Sequence, residues 1–277
     1  MTTTPLGRQV DYPEQYDPSL LAPIPRQSNR ESLGLAGPVL PFCGADVWNA
    51  YELSWLNPAG LPQVARGRFV FPCTSPNLLE SKSLKLYLNS LNQEPFASPA
   101  AVRERIAADL GQAAGAPVDV MLQPFGGMQE LLDAPGGTRL DDLDVECSAY
   151  TPDPALLRLA GENAAFTALV DEVVYTDLFR SRCPITGQPD WATVTICYHG
   201  AQIDHAGLLQ YLVSYRQHGD YHEHCVERIF CDLLDRCQPQ SLSVEANFLR
   251  RGGLDINPVR STSEMTHYAA LPRYNRQ

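Results

Sequence analysis

The sequence has no run approaching the ~18 apolar residues of a membrane-spanning helix, so no membrane association is expected. Its opening, MTTTPLGRQVDYPEQYDPSL, lacks the apolar stretch of a signal peptide. No C-x-x-C pair occurs among eight scattered cysteines. Together these absences predict a reduced, cytoplasmic chain with free thiols. No G-x-G-x-x-G follows a strand and no G-x-x-x-x-G-K-[ST] occurs, which argues against a Rossmann or P-loop nucleotide site. Positive charge is scarce: 21 Lys and Arg stand against 32 Asp and Glu, a net charge of −11. Tracking a phosphate backbone needs clustered basic residues, so direct nucleic-acid binding is not expected. Any anionic ligand must be held by a local basic patch.

What is present is a repeat. Leu84, Tyr87, Leu88 and Leu91 fall at i, i+3, i+4 and i+7, one face of a helix. Leu208, Tyr211, Leu212 and Tyr215 take the same places 124 residues later, with Ser90 and Gln93 returning as Ser214 and Gln217. A second helix follows each. Glu104, Arg105, Ile106, Asp109 and Leu110 match Glu227, Arg228, Ile229, Asp232 and Leu233 at a distance of 123. Strand-like segments flank both pairs: AYELSWL, with Tyr51, Leu53 and Trp55 on one face, GRFVFPC and PVDVML, then EVVYTDLF, WATVTICYHG and LSVEANFL. Each half reads strand, strand, helix, helix, strand, with room for one more strand. Runs of strands followed by runs of helices predict an α+β fold with a mainly antiparallel sheet. At 277 residues the chain has length for two units of ~140 residues. The division expected is a proline-rich surface arm over 1–35, a first module over 36–125, a Gly-rich linker over 126–145 and a second module over 146–277.

Four clusters carry potential chemistry. Cys183 lies in the turn SRCPITGQPD, with Arg180 and Arg182 just before it and Asp190 seven residues on. A thiolate needs a polar or cationic setting, and an aspartate in a partly dry site can hold a proton to donate. Cys197, inside an alternating strand, reads as structural. His222, Glu223, His224 and Cys225 are consecutive. They are a helix start opened by Asp220 or Tyr221, or a ligand-binding group. Neighbours at a helix start point in different directions, which argues against a metal site. Glu80, Ser81 and Lys82 open the first helix of the first half, a place suited to an anion and, through Glu80, to an amidine-like N–H edge. The matching stretch DHAGLLQ lacks all three residues. Arg250 and Arg251 precede Gly252 and Gly253, which reads as a phosphate contact or as a hairpin turn.

In order, the segments ESLGLAGP, LLESKSLKLYLNS, CPITGQPDWATV, HEHCVERI and RRGGLDI resemble the 7-cyano-7-deazaguanine reductases, NADPH-dependent nitrile reductases of queuosine biosynthesis, in their long two-module form. The resemblance implies tandem tunnelling-fold (T-fold) modules, each an antiparallel sheet with two helices on one face, and a homo-oligomer, a homodimer in the simplest case. It implies that Cys183 adds to the nitrile carbon as a thioimide and that Asp190 supplies the proton. Leu79, Glu80, Ser81, His222 and Glu223 are implied to hold the deazapurine. Ser81, Lys82, Arg251 and Gly252 are implied to hold the NADPH phosphates. No metal is implied. Two rival readings are a pterin- or GTP-processing hydrolase of the same fold, with zinc on Cys and His, and a non-catalytic binder of purine-like ligands.

Overall fold

The computed structural model describes residues 15–35, 39–125, 135–161 and 169–265, with positions 7, 12, 13, 37, 268, 271–274 and 277. Residues 126–134 of the expected linker and 1–6, 8–11 and 14 of the expected arm lie outside the described residues. In chain order the elements are β1 (Pro23–Pro25), α1 (Gln27–Ser32), β2 (Cys43–Leu56), β3 (Pro62–Pro72), β4 (Asn77–Leu79), α2 (Ser81–Ser90), α3 (Pro99–Ala114) and β5 (Asp119–Pro124). They continue with β6 (Thr138–Arg139), β7 (Leu169–Thr176), β8 (Arg180–Arg182), β9 (Pro189–Ala201), α4 (His205–Ser214), α5 (His222–Cys237), β10 (Ser241–Phe248) and β11 (Leu254–Ser261).

The α+β expectation holds. One sheet runs β5-β3-β2-β11-β10-β9-β7-β6, with β8 added on β9. Every pairing in it is antiparallel except the two-residue β6 against β7. The last strand closes on the first long one: β11 pairs with β2 from Leu254↔Ala50 to Ser261↔Cys43, so the chain's two halves meet edge to edge at mid-sheet.

The helices follow from their apolar spacing. Leu84, Tyr87, Leu88 and Leu91 are all buried, as are Leu208, Tyr211, Leu212 and Tyr215. Burying each large side chain is worth roughly 1.5–3 kcal/mol. The first set joins a core with Trp48, Phe69 and Ile106, the second a core with Val194, Ile229 and Val244. The repeat extends to polar detail. Tyr87 Oη donates to Asp109 at 2.6 Å, and Tyr211 Oη donates to Asp232 at 2.6 Å. It also reaches a signal not read from the sequence: Asp17-Pro18-Ser19-Leu20-Leu21 returns as Asp153-Pro154-Ala155-Leu156-Leu157. In both copies the aspartate caps a short 3-10 turn, and its own N–H donates to the matched serine, Ser90 or Ser214.

Two details differ from expectation. Tyr51 does not share a face with Leu53 and Trp55. A register shift between Ala50 and Leu53 turns it to the opposite side, where its hydroxyl donates to Asp255 at 2.6 Å. The segment around β1 and α1 is not simply laid over the surface. Arg26 is buried against Asp46 at 2.5 Å, and Arg30 against Glu227 at 2.6 Å. Arg260 bridges the same two acids at 2.8 Å each, tying α1, β2, α5 and β11 together.

Candidate active site

A cavity of about 310 Å³ opens where the N-terminal ends of α2 and α5 meet above the β10–β11 hairpin. Nine residues singled out from the sequence line it: Leu79, Ser81, Lys82, Cys183, Asp190, His222, Glu223, Arg251 and Gly252. Glu80 does not. It is fully buried, and its carboxylate accepts the backbone N–H groups of Lys82 at 2.7 Å and Ser83 at 2.9 Å. It is thus the N-cap of α2. Burial pushes its pKa up against those hydrogen bonds.

Cys183 follows β8 into a tight turn. Its N–H donates to the Gln188 carbonyl at 2.9 Å, and its carbonyl accepts from Gly187 at 3.0 Å. Gly187 sits at φ +69°, a conformation that favours glycine. The Thr186 N–H reaches Sγ at 3.5 Å, so the half-buried thiol is held by backbone. The expected cationic neighbours turn elsewhere: Arg180 lies over the Trp191 ring, 5.6 Å from its centroid.

Asp190 opens β9 and is 5% exposed. Arg251 Nη1 lies 3.1 Å from its Oδ1, and His222 Nε2 lies 3.5 Å from the same oxygen. Arg251 also donates to Gln188 Oε1 at 3.0 Å. The His222 ring stacks on Phe248 at 3.8 Å and 10°, which fixes its plane, while its Nδ1 is buried without a partner.

Glu223 is 2% exposed, and its Oε1 has no hydrogen-bond partner. Burial, then the charge of Asp46, raises its pKa; His222 and Arg26 oppose them. A buried, unused acceptor is costly unless a ligand completes it. Leu86, Leu254 and Ile256 supply apolar wall. Next to it, Asp220 is held well below the usual carboxylate range despite its burial, because His218 and His224 hydrogen-bond to it.

Sequence reasoning missed Lys85, Gln188, Asp220 and Tyr221, which also line the cavity. One signal was available. The chain has only two lysines, Lys82 and Lys85, and both face this space. His218 and His224 both turn to Asp220, whereas His222 turns to Asp190. His218 meets the Tyr215 ring edge-on, His224 bonds to Asp220 and Asn29, and Cys225 is fully buried. Among the described residues no three His, Cys, Asp or Glu side chains gather as metal ligands would.

A thiol, a buried carboxylate, a free buried acceptor and a basic rim in one cleft are the equipment of covalent catalysis on a small polar ring with an anionic co-substrate. The comparisons give this class a family. Residues 12–122 match the family described as "Nitrile reductase, 7-cyano-7-deazaguanine-reductase N-term", and residues 189–267 match "QueF-like protein". The chain is 53% identical over 269 residues to a protein of Dechloromonas aromatica (strain RCB) named NADPH-dependent 7-cyano-7-deazaguanine reductase, covering 96% of this chain and 92% of the relative. Relatives of the same name from Azoarcus sp. (strain BH72) and Stenotrophomonas maltophilia (strain R551-3) are also 53% identical, over 94% and 98% of this chain and 90% and 97% of theirs. The chain belongs to the 7-cyano-7-deazaguanine reductase family. A solved apo archaeosine synthase QueF-like structure aligns at TM-score 0.31 and 19% identity, over 38% of this chain and 99% of that one, and nothing is drawn from it. No helix among the described residues is long and apolar enough to cross a membrane.

Proposed function

We propose that this chain reduces the nitrile of 7-cyano-7-deazaguanine to the primary amine with NADPH, through a covalent thioimide on Cys183. The observation that carries the reading is the meeting of Cys183 and Asp190 with Glu223 in one cavity. A nitrile is a poor hydride acceptor, and thiolate addition divides one hard step into easier ones. The Cys183 sulfur bonds to the nitrile carbon. One C≡N π pair moves to nitrogen and takes the proton of Asp190, giving the N–H thioimide. NADPH, when bound, would supply one hydride per molecule, so two molecules in turn give the two hydrides that carry this carbon, with a second proton at nitrogen, to the aminomethyl group. Between them the C–S bond breaks, and its electrons return to Cys183.

The rest of the site suits these steps. The free Oε1 of Glu223 fits an N–H donor on the heterocycle. His222, 3.5 Å from Asp190, is placed to return a proton to it. The residues also fit an anionic cofactor. Lys82, Lys85 and Arg251 face the cavity of an acidic protein, and Gly252, at φ +57°, brings bare backbone to its edge. Ser81 completes the phosphate-binding set. Glu80 acts in this scheme by fixing the first turn of α2. The reading extends to tandem T-fold modules over 36–125 and 146–277, supported by the matched Tyr–Asp bonds, and to a cytoplasmic homodimer.

Intact-mass measurement tests the mechanism. Mixing the chain with the nitrile, without NADPH, should add one ligand mass to wild type and none to Cys183→Ala. A wild type that binds the nitrile yet keeps its free mass would leave only a binder. Asp190→Asn should bind the base but form the adduct more than about a hundredfold slower.

A further inference from the structure

The two arginines before Cys183 were singled out by the sequence, and the catalytic cavity does not use them. β8 presents Arg180 and Arg182 on one face, because side chains alternate along a strand. Ser181, on the other face, is buried. Arg216 arrives from the 3-10 turn Tyr215–Gln217 that follows α4. Arg180 and Arg216 both lie over the Trp191 ring, at 5.6 and 5.5 Å from its centroid. Burial first, then the charges of Arg216 and Arg182, hold the Arg180 guanidinium below its ordinary range. The Nε atoms of Arg180 and Arg182 are buried with no hydrogen-bond partner. Among the described residues no carboxylate forms an ion pair with any of the three. In a chain with 32 acids against 21 bases, three guanidinium groups gathered without an acid form a cluster that lacks its counter-charge.

We propose that Arg180, Arg182 and Arg216 form a second anion site, outside the catalytic cavity, that takes a phosphate dianion beside the Trp191 ring. Guanidinium forks suit phosphate oxygens, and a dianion relieves the mutual repulsion of the three. The site abuts the catalytic turn through backbone. The Arg182 N–H donates to His218 at 2.8 Å, and the Asp220 N–H donates to Arg182 at 3.1 Å. The phosphate is free inorganic phosphate or the 2′-phosphate of NADP(H); only the second source rests on the nitrile-reductase reading.

Trp191 reports on occupancy, because Arg180 and Arg216 lie over its ring, whereas Trp48 and Trp55 sit in the core of the first half and give a constant background. Titrating inorganic phosphate at constant ionic strength should give a saturable change in tryptophan emission. Arg180→Gln/Arg216→Gln should weaken it at least about tenfold, equivalent to ~1.4 kcal/mol. Arg180→Lys, which keeps the charge, should retain part of the affinity and guards against misfolding of the double variant. If NADP+ but not NAD+ competes with phosphate, and the double variant loses its preference for NADPH over NADH, the phosphate belongs to the cofactor. If neither competes and the preference is unchanged, the ligand is a separate phosphate. A wild-type response no different from that to chloride, or full affinity in a folded double variant, overturns the site.

Discussion

The two helix pairs are built alike and employed differently. In the first, α2 brings Ser81 and Lys82 to the cavity, while α3 starts on an ordinary cap, Ser98 accepting the Ala101 N–H. In the second the roles are reversed. α4 starts on an ordinary cap, Asp204 accepting the Gly207 N–H. α5, of the same 16-residue length as α3, has no side-chain cap and brings Tyr221, His222 and Glu223 to the cavity. A duplicated fold offers four long-helix starts. A site at the seam uses the two that face it, one from each half, and these are not the equivalent ones. Glu104 and Glu227 repeat the lesson. The same residue in the same repeat is a solvated side chain, 73% exposed, in one half and a buried partner of two arginines in the other.

Breaking that last pair should give the largest effect. Glu227→Gln leaves Arg30 and Arg260 short of a buried counter-charge and should cost ~3–5 kcal/mol. Glu104→Gln should stay within about 0.5 kcal/mol. Urea denaturation of the two variants measures the contrast, and equal losses would erase it.

Glu223→Gln should act in the opposite direction on stability. The folded pKa of Glu223 is raised, so the folded state holds its proton more tightly than the unfolded one. Its favourable contribution is therefore full below the unfolded pKa of ~4.3 and is lost as pH rises through the folded value. At pH 7.5 the glutamine variant should be more stable than wild type by about 1–2 kcal/mol, with the gap closing near pH 4. Base affinity should fall more than about tenfold. Thermal melts at the two pH values and a nitrile titration check both halves of the statement.

Tyr87→Phe and Tyr211→Phe probe the shared polar detail. Each removes one hydroxyl from its aspartate, Asp109 buried and Asp232 half-buried, and should cost about 1–1.5 kcal/mol. Costs differing by more than ~1 kcal/mol would show that the matched bonds are not energetically equivalent. The smallest effect belongs to the helix ends. α3 ends on Gly115 at φ +73° and α5 on Gln238 at φ +47°. Gln238→Gly should gain about 0.5–1 kcal/mol, seen as a small rise in melting temperature.

Much of the fold was legible. The apolar spacing of α2 and α4 marked their buried faces, and six strand segments were located, although β2 begins seven residues before AYELSWL and β11 was left only as room for one more strand. Tyr51 was misplaced because a bulge, which has no clear residue signature in AYELSWL, breaks the period of two. The Asp-Pro-x-Leu-Leu repeat was overlooked because its spacing, 136 residues, differs from the 124 and 123 of the helices. Of the site, residue types were legible and orientation was not. Nothing in ESKS announces that the Glu80 carboxylate caps its own helix.

The sequence alone determined the elements, their duplication and the candidate groups, because these depend on spacing along a single chain. Tertiary structure decided which helix starts face one another across the seam, which glutamate of a repeated pair is buried, and that three arginines gather without an acid. The first two depend on the β2–β11 closure, which joins residues some two hundred positions apart; the third depends on β8 and the turn after α4 meeting at Trp191. Burial and neighbouring charge then set the properties of side chains whose types the sequence had already named.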